Sequence, residues 1–197
     1  MGWAAFDSTD RDRGFTLIEV LIALVVLSIM ALGVAALFGV AIKSVHAARN
    51  QTSTAALATQ KMEQLRALTW GFDLIETSLP VSDTTTDLSR TPPTNNGTGL
   101  NPSPAGTLNA NTAGFVDYLD GRGDWVGTGA APPPTAIYIR RWSIEPLPTN
   151  PNNTLVLQVL VTTVVRENAV AQAGQGGARR RYPDDALIAT VKTRKAR

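Results

Sequence analysis

The side chains that could carry chemistry are few in this chain of 197 residues, and they form no catalytic set. There is no cysteine, which excludes disulfides, thiol catalysis and cysteine-ligated metal. The single histidine, His46, excludes histidine-rich metal sites and has no plausible nucleophile to activate. No phosphate-binding glycine motif occurs. We therefore expect neither an enzyme nor a protein that depends on a cofactor.

Three carboxylates, Asp117, Asp120 and Asp124, stand near glycines in the stretch DYLDGRGDW. Calcium prefers clustered oxygen ligands on a turning backbone, so these residues are weak calcium candidates. Their spacing does not match an EF-hand loop, and a polar turn is the favoured interpretation. The same stretch contains the tripeptide Arg122-Gly123-Asp124, which is too short a match to assign an adhesive role.

The C-terminal region is basic. Its cations are Arg179, Arg180, Arg181, Lys192, Arg194, Lys195 and Arg197. Such a patch could contact the phosphate backbone of DNA, with Arg179 to Arg181 as the candidate contacts. However, Tyr182 is the only aromatic residue among these cations on which a base could stack. A formal net charge of +2 also does not demand a nucleic-acid partner. The pattern is more typical of a solvated loop and tail, so nucleic acid is not the expected partner.

One more carboxylate, Glu19, stands in the stretch RGFTLIEVLIAL and precedes an uncharged run from Val20 to Ile42. A helix of that length spans about 34 Å, against about 30 Å of bilayer hydrocarbon. A run without a polar face predicts a membrane-inserting helix rather than a core helix. A cleaved secretory signal would be shorter and end at a small-x-small site, which Val45-His46-Ala47 provides only weakly. Arg11 and Arg13 before the run favour a cytoplasmic N-terminus.

The residues from Gly14 to Glu19, GFTLIE, abutting an apolar helix, resemble the class III signal of type IV pilins and pseudopilins. The resemblance implies that a prepilin peptidase cuts between Gly14 and Phe15, and that Phe15 is then N-methylated. The leader is longer and more acidic than those of major pilins, and the apolar helix lacks their mid-segment proline. Both departures indicate a minor pilin or a pseudopilin.

The resemblance also assigns a role to Glu19. At the cytoplasmic edge of the bilayer its carboxylate reaches the interface at modest cost. In a filament of packed apolar helices it would be buried, and the amine of a cleaved Phe15 on an incoming or neighbouring subunit would supply the cation. Low dielectric strengthens this attraction while desolvation offsets much of it, so we expect the pair to set register more than affinity.

The rest of the chain predicts an α+β head on the second half of a long helix. Good helix formers continue from Lys43 to Thr69, and Gly71 is the expected stop. The apolar stripe predicted for this half is Val45, Ala48, Ala55, Ala58, Met62 and Leu65. The expected segments are a leader at 1–14, a membrane or filament-core half-helix at 15–42, an amphipathic half-helix at 43–70, a flexible loop at 71–114 and an antiparallel head at 115–197.

Within the head, strands are predicted at 136–144, 154–166 and 186–195, with a further short strand at 115–119. A turn is expected at 146–153 and a flexible connection at 168–185. Three antiparallel strands would pack on the amphipathic half-helix. The succession of Arg140-Arg141-Trp142, a proline turn, an apolar strand and a final strand also resembles PilV-type minor pilins.

The function expected from the resemblance is that of a PilV-like minor pilin, inserted in the bacterial inner membrane with its head in the periplasm and then built into a pilus. Its expected partners are the prepilin peptidase and methyltransferase, other pilin or pseudopilin subunits, and inner-membrane lipid. The alternatives are a minor pseudopilin of type II secretion, a DNA-uptake minor pilin, and a membrane-anchored binding module that never polymerises.

Overall fold

A computed structural model describes residues 15–72, 80–81, 87–90, 99–100, 102–172 and 182–194. By internal contacts the chain forms two compact units, residues 1–46 and 47–197. The predicted leader at 1–14, with Gly14, and the candidate DNA contacts Arg179, Arg180 and Arg181 lie outside the described residues.

The described elements form the predicted α+β fold, a long N-terminal helix whose second half packs on an antiparallel sheet. In chain order they are α1 (Leu17–Ala67), β1 (Gly71–Phe72), β2 (Pro80–Val81), β3 (Val116–Leu119), β4 (Trp125–Gly127), β5 (Tyr138–Pro146), β6 (Thr154–Thr163), α2 (Val164–Gln172) and β7 (Ala186–Thr193). The main sheet has five strands in the order β4-β3-β5-β6-β7, each antiparallel to its neighbours.

The buried face of α1 begins later than the sequence predicts. Ala58, Met62 and Leu65 are buried as expected, at the three- and four-residue spacing of one helix face. The predicted members Val45, Ala48 and Ala55 are exposed, so that part of the stripe was wrong. In their place the buried face includes two polar residues, Thr54 and Lys61. Thr54 is accommodated because its hydroxyl donates to the carbonyl of Asp184 at 3.0 Å.

Apolar side chains pack on both faces of the sheet. Successive side chains of β5 point to opposite faces, so this strand contributes to both layers. Trp142 and Ile144 of β5 join the core cluster that includes the buried residues of α1. Ile139 belongs to a second cluster, with Val116 and Tyr118 of β3. With apolar layers on both sides, every charged residue in the middle of β5 must find its partner inside the protein.

Two of the sequence predictions for the head were wrong. The sheet has five strands rather than three, since β4 was missed and β3 is a full member. The strand predicted to run to Arg166 stops at Thr163, and α2 occupies part of the predicted flexible connection. The hydroxyl of Thr163 accepts a hydrogen bond from the amide of Arg166 at 3.4 Å and caps this helix. The β-branched pair Val164 and Val165 at its start favoured the strand interpretation.

The predicted loop at 71–114 contributes to the core at several described positions. Leu88 and Leu100 are buried, and the amide of Leu100 donates to the carbonyl of Thr69 at 2.9 Å. Gly71 and Phe72 pair with Val81 and Pro80 in a small second sheet. The described part of this segment thus contains buried leucines and a short strand pair that composition averaged over a polar stretch conceals.

Candidate functional site

The N-terminal segment presents a continuous apolar surface. Phe15 is 84% exposed, and the large apolar residues from Leu17 to Ile42 are exposed as well. Within the described residues α1 is the one helix long and apolar enough to cross a membrane, and none of its most apolar window is buried in the chain. Since single apolar side chains are common on soluble surfaces but a run of this length is not, lipid or other protein must cover this surface.

Glu19 lies in the first turn of α1, in a local arrangement that sequence reasoning missed. The hydroxyl oxygen of Thr16 accepts a hydrogen bond from the backbone amide of Glu19 at 3.3 Å. Thr16 is therefore the N-cap and Glu19 the third residue of the helix, the spacing of a capping box. A carboxylate there also faces the positive end of the helix dipole. Glu19 thus also contributes to the start of the helix. A test of its charge in assembly must therefore distinguish loss of the charge from disturbance of the helix start.

The most highly charged buried site of the described chain joins α1, β3 and β5. The carboxylate of Asp117 is 2.8 Å from both Nε and Nη2 of Arg140, a two-point pairing, and 3.2 Å from Nζ of Lys61. Arg140 also donates from Nη1 to Gln60 at 3.1 Å and to the carbonyl of Leu57 at 3.3 Å. Lys61 and Asp117 are completely buried and Arg140 is 1% exposed. We call these three residues the buried charge cluster.

The buried charge cluster contains two cations and one carboxylate. Burial lowers the pKa of Lys61 from 10.5 to about 8; Asp117 opposes this shift and Arg140 adds to it. The ammonium group of Lys61 also lies 3.8 Å from the centroid of the Trp142 ring and donates to the carbonyl of Leu88. Both oxygens of Asp117 are engaged by cations. The cluster therefore tethers the helix to the sheet and offers no ligand oxygen to a metal ion.

The other two calcium candidates belong to the turn between β3 and β4. One carboxylate oxygen of Asp120 accepts from the amides of Arg122 at 2.8 Å and Asp124 at 2.9 Å, and these bonds lower the pKa of Asp120. The structure thus assigns Asp117 to an ion pair and Asp120 to a turn. Among the described residues no group of three or more acidic, histidine or cysteine side chains is placed to hold a metal.

A second buried guanidinium lies on the opposite face of β5. Arg141 donates to Asn111 at 2.9 and 2.5 Å and to Glu167 of α2 at 3.0 Å. Burial lowers its pKa to about 10. Two consecutive arginines in a strand must point to opposite faces, so the sequence contained a signal for two separate buried cation sites. The strand prediction at 136–144 included both arginines but assigned them no partners.

Two residues of the basic C-terminal region are described, and both lie near the end of α1. Nζ of Lys192 donates to the carbonyls of Arg66, at 2.6 Å, and of Leu68. A cation there satisfies carbonyls that the helix end leaves without intrahelical partners. The guanidinium of Arg194 lies 5.6 Å from the centroid of the Trp70 ring.

Comparison with known proteins identifies the N-terminal segment. A family model described as the prokaryotic N-terminal methylation motif matches residues 9–35, which include GFTLIE and the first part of α1. No curated protein and no solved structure matches the chain. The chain therefore carries a type IV pilin-like N-terminal motif, and the family that has this motif is structural rather than enzymatic. The motif implies processing by a prepilin peptidase and assembly with pilin subunits, and with the apolar helix it indicates membrane anchoring.

Proposed function

We propose that the chain is a minor subunit of a type IV pilus, of the PilV type, that functions in pilus assembly or initiation. One observation carries the proposal: the methylation motif at 9–35 coincides with a helix whose apolar side chains are exposed from Leu17 to Ile42. A surface of that kind suits lipid before assembly and neighbouring apolar helices afterwards. In this proposal the N-terminus is cytoplasmic and the head is periplasmic until the subunit enters the filament.

The proposed maturation follows the motif. The leader at 1–14 is removed between Gly14 and Phe15, and Phe15 becomes an N-methylated terminus. Residues 15–42 then form the filament-core half of α1, and 43–70 its amphipathic half. Glu19 pairs with the terminal amine of a neighbouring subunit, because a carboxylate that becomes buried among apolar helices requires a cation. The loop at 71–114 and the head at 115–197 face outward.

Type II secretion pseudopilins share the motif, so a minor pseudopilin is the alternative assignment. The absence of a mid-helix proline in Leu17–Ala67 and the acidic leader support a minor subunit in either machine. The two assignments separate by deletion in the native host, since loss of surface pili indicates the pilus and loss of an exported enzyme indicates secretion. A role in DNA uptake rests only on the basic residues Arg179 to Arg181 and is the weaker proposal.

The processing step is tested by co-expressing the full chain with a prepilin peptidase and determining the mature N-terminus by mass spectrometry. We expect a chain that begins at Phe15 and carries one additional methyl group. Gly14→Val, which replaces the residue before the proposed cut, is the matched control and should retain the leader. An intact leader in the natural sequence, or cleavage near Ala47, would contradict the proposal.

The role of Glu19 is tested with three variants because Glu19 is also the third residue of α1, next to the N-cap Thr16. Glu19→Ala removes both the charge and the polar side chain, Glu19→Gln removes only the charge, and Thr16→Ala removes the cap at a cost of about 1 kcal/mol while leaving the charge. All three should be cleaved normally. We expect Glu19→Ala and Glu19→Gln to enter filaments poorly and Thr16→Ala to enter them nearly normally, measured by immunoblot of sheared filaments. Normal incorporation of Glu19→Gln would refute the charge pair.

A further inference from the structure

An open cavity of about 380 Å³ lies in the second compact unit, residues 47–197. Its lining includes Asn50 of α1, Ile137, which directly precedes β5, and Val165 and Arg166 of α2. The start of α2 is held beside the start of β5, because the amide of Val164 donates to the carbonyl of Ile137 at 2.9 Å. The cavity thus lies where α1, the start of β5 and the start of α2 meet.

The cavity is at the end of this unit where α1 enters. The nine residues of β5 span about 26 Å and end at Pro146. Pro146 is in register with Leu155 of β6, and Leu155 is in register with Lys192 of β7. Nζ of Lys192 donates to the carbonyl of Arg66, which is 16 residues beyond Asn50. β5 and this part of α1 therefore both lead from the cavity to the opposite end of the unit.

The residue that α1 contributes to the cavity is close to the apolar run. Ile42 ends the uncharged run, and Asn50 follows it by eight residues in the same uninterrupted helix. A rise of 1.5 Å per residue separates the two by about 12 Å, a spacing that follows from α1 alone. Headgroups occupy roughly 5–8 Å on each side of the bilayer hydrocarbon. With the apolar run in a membrane, Asn50 is therefore close to the headgroup layer.

Two exposed apolar residues line this cavity. Val165 is 78% exposed and Ile137 is 47% exposed. In the described part of residues 47–197, Val191 is the one other large apolar residue that is exposed. No residue of α2 is buried, so its outer surface is uncovered within the chain. Apolar side chains gathered at a cavity next to a membrane anchor are suited to the interfacial layer of a bilayer.

The charges near the cavity favour an anionic surface. The sequence has no carboxylate from 20 to 62, so Lys43 and Arg49 are not neutralised by neighbours on α1. Both residues are exposed. In the wall of the cavity, Asp184 pairs with Arg166 at 2.7 Å, so that these two residues contribute no net charge. Exposed cations beside a membrane span attract anionic lipid headgroups.

We propose that the cavity end of this unit docks on the surface of an anionic bilayer while α1 is in the membrane. Ile137 and Val165 enter the interfacial layer, and Lys43 and Arg49 lie beside lipid phosphate groups. The proposal rests on the membrane-anchored stage of the proposed function. It adds a bound state that the subunit must leave before it enters a filament.

The test uses the full chain in vesicles of phosphatidylcholine, with or without phosphatidylglycerol. Because the chain has no cysteine, Val165→Cys accepts a single polarity-sensitive fluorophore. Thr149→Cys, which is exposed in the turn beyond the far end of β5, is the matched control. We expect emission at residue 165 to rise about threefold when phosphatidylglycerol is present, because the label leaves water, and added salt should reduce the rise. Emission at residue 149 should not change.

Unchanged emission at residue 165, or an equal rise in both kinds of vesicle, overturns the proposal. A rise that grows with the number of chains per vesicle assigns the cavity to a second copy of the chain and also overturns it. Vesicle flotation separates this proposal from the proposed function. A chain that floats without a change at residue 165 refutes the docking alone, whereas a chain that does not float contradicts both.

The cations are tested by combining Lys43→Gln with Arg49→Gln in the labelled chain. The ratio of docked to undocked chains should fall about fivefold for each cation removed. Arg66→Gln, the same change at the other end of this part of α1, is the matched control and should leave the ratio unaltered. Thermal unfolding verifies that the variants are folded. Undiminished docking by the folded double variant refutes the role of the cations and with it the proposal.

Discussion

Asp117→Asn is the most informative single change in the head, because Asp117 is the only carboxylate of the buried charge cluster. The substitution preserves the shape of the side chain but removes the charge that both Lys61 and Arg140 approach within about 3 Å. Both cations are buried, so water cannot take over the role of the lost carboxylate. The folded head would then hold two buried cations that have lost their shared carboxylate, while Asp87 keeps a favourable electrostatic influence on Lys61.

The expected cost follows from the burial of all three groups. Removing one partner of a buried ion pair costs about 3–5 kcal/mol, and here the same carboxylate serves two cations, so we expect about 4–5 kcal/mol. The whole stability of a domain is roughly 5–15 kcal/mol. For a unit of this size each kcal/mol shifts the melting temperature by about 2–4 °C, so Asp117→Asn should lower it by about 8–20 °C.

The assay is thermal unfolding of the full chain in detergent micelles, followed by tryptophan fluorescence. Trp142 is fully buried and lies against Lys61, so its emission should report loss of the cluster. Lys61→Met is the matched control: it retains the apolar stem and the Asp117–Arg140 pair, and removes only the ammonium group. It loses the bond to the carbonyl of Leu88, which should cost about 1–2 kcal/mol.

The reasoning predicts an asymmetry between these two variants. Asp117→Asn should be at least about 2 kcal/mol less stable than Lys61→Met, because Asp117→Asn leaves two buried cations without their carboxylate, whereas Lys61→Met leaves no buried charge unpaired. If Asp117→Asn melts within a few degrees of the natural chain, or if Lys61→Met is equally destabilised, the cluster is not a dry ion network.

Two further predictions follow from the same unit. The pKa of Lys61 is about 8 in the folded state and 10.5 otherwise, so the unfolded chain binds more protons between these values. The free energy of unfolding should therefore rise with pH across that window, by about 3 kcal/mol more in the natural chain than in Lys61→Met, and below pH 8 the difference between the two proteins should not change with pH. Denaturant titrations at several pH values measure this difference in the free energy of unfolding. A constant difference throughout contradicts the burial of the ammonium group. Gly123 has a φ of +90°, and a β-carbon there would lie 2.9 Å from the side chain of Leu57. Gly123→Ala should cost about 1–3 kcal/mol in chemical denaturation, and more than the control Gly129→Ala, whose φ is +117° but which has no neighbour within 4 Å; equal costs would show that the contact with Leu57 is unimportant.

Much of the head could be predicted because its strands have strong local signals. β5, β6 and β7 were placed to within a few residues, since β-branched and aromatic residues are dense there. α2 was missed because two valines precede its helix-forming residues, and only the cap at Thr163 and the pair between Glu167 and Arg141 explain why it forms. Local composition does not record such contacts.

The N-terminal assignment depends on contiguous residues, so the sequence by itself determined it. A motif at 9–35 and an apolar run to Ile42 act through neighbours in the chain and through the bilayer, whose thickness is set independently of the protein. The partners of Asp117 were decided only by the tertiary structure. The sequence permits it to be read as a calcium ligand, but the fold places it between Lys61, 56 residues away, and Arg140, 23 residues away. Which charges meet in a dry interior depends on how the helix and strands pack, and that is a property of the whole head rather than of any segment.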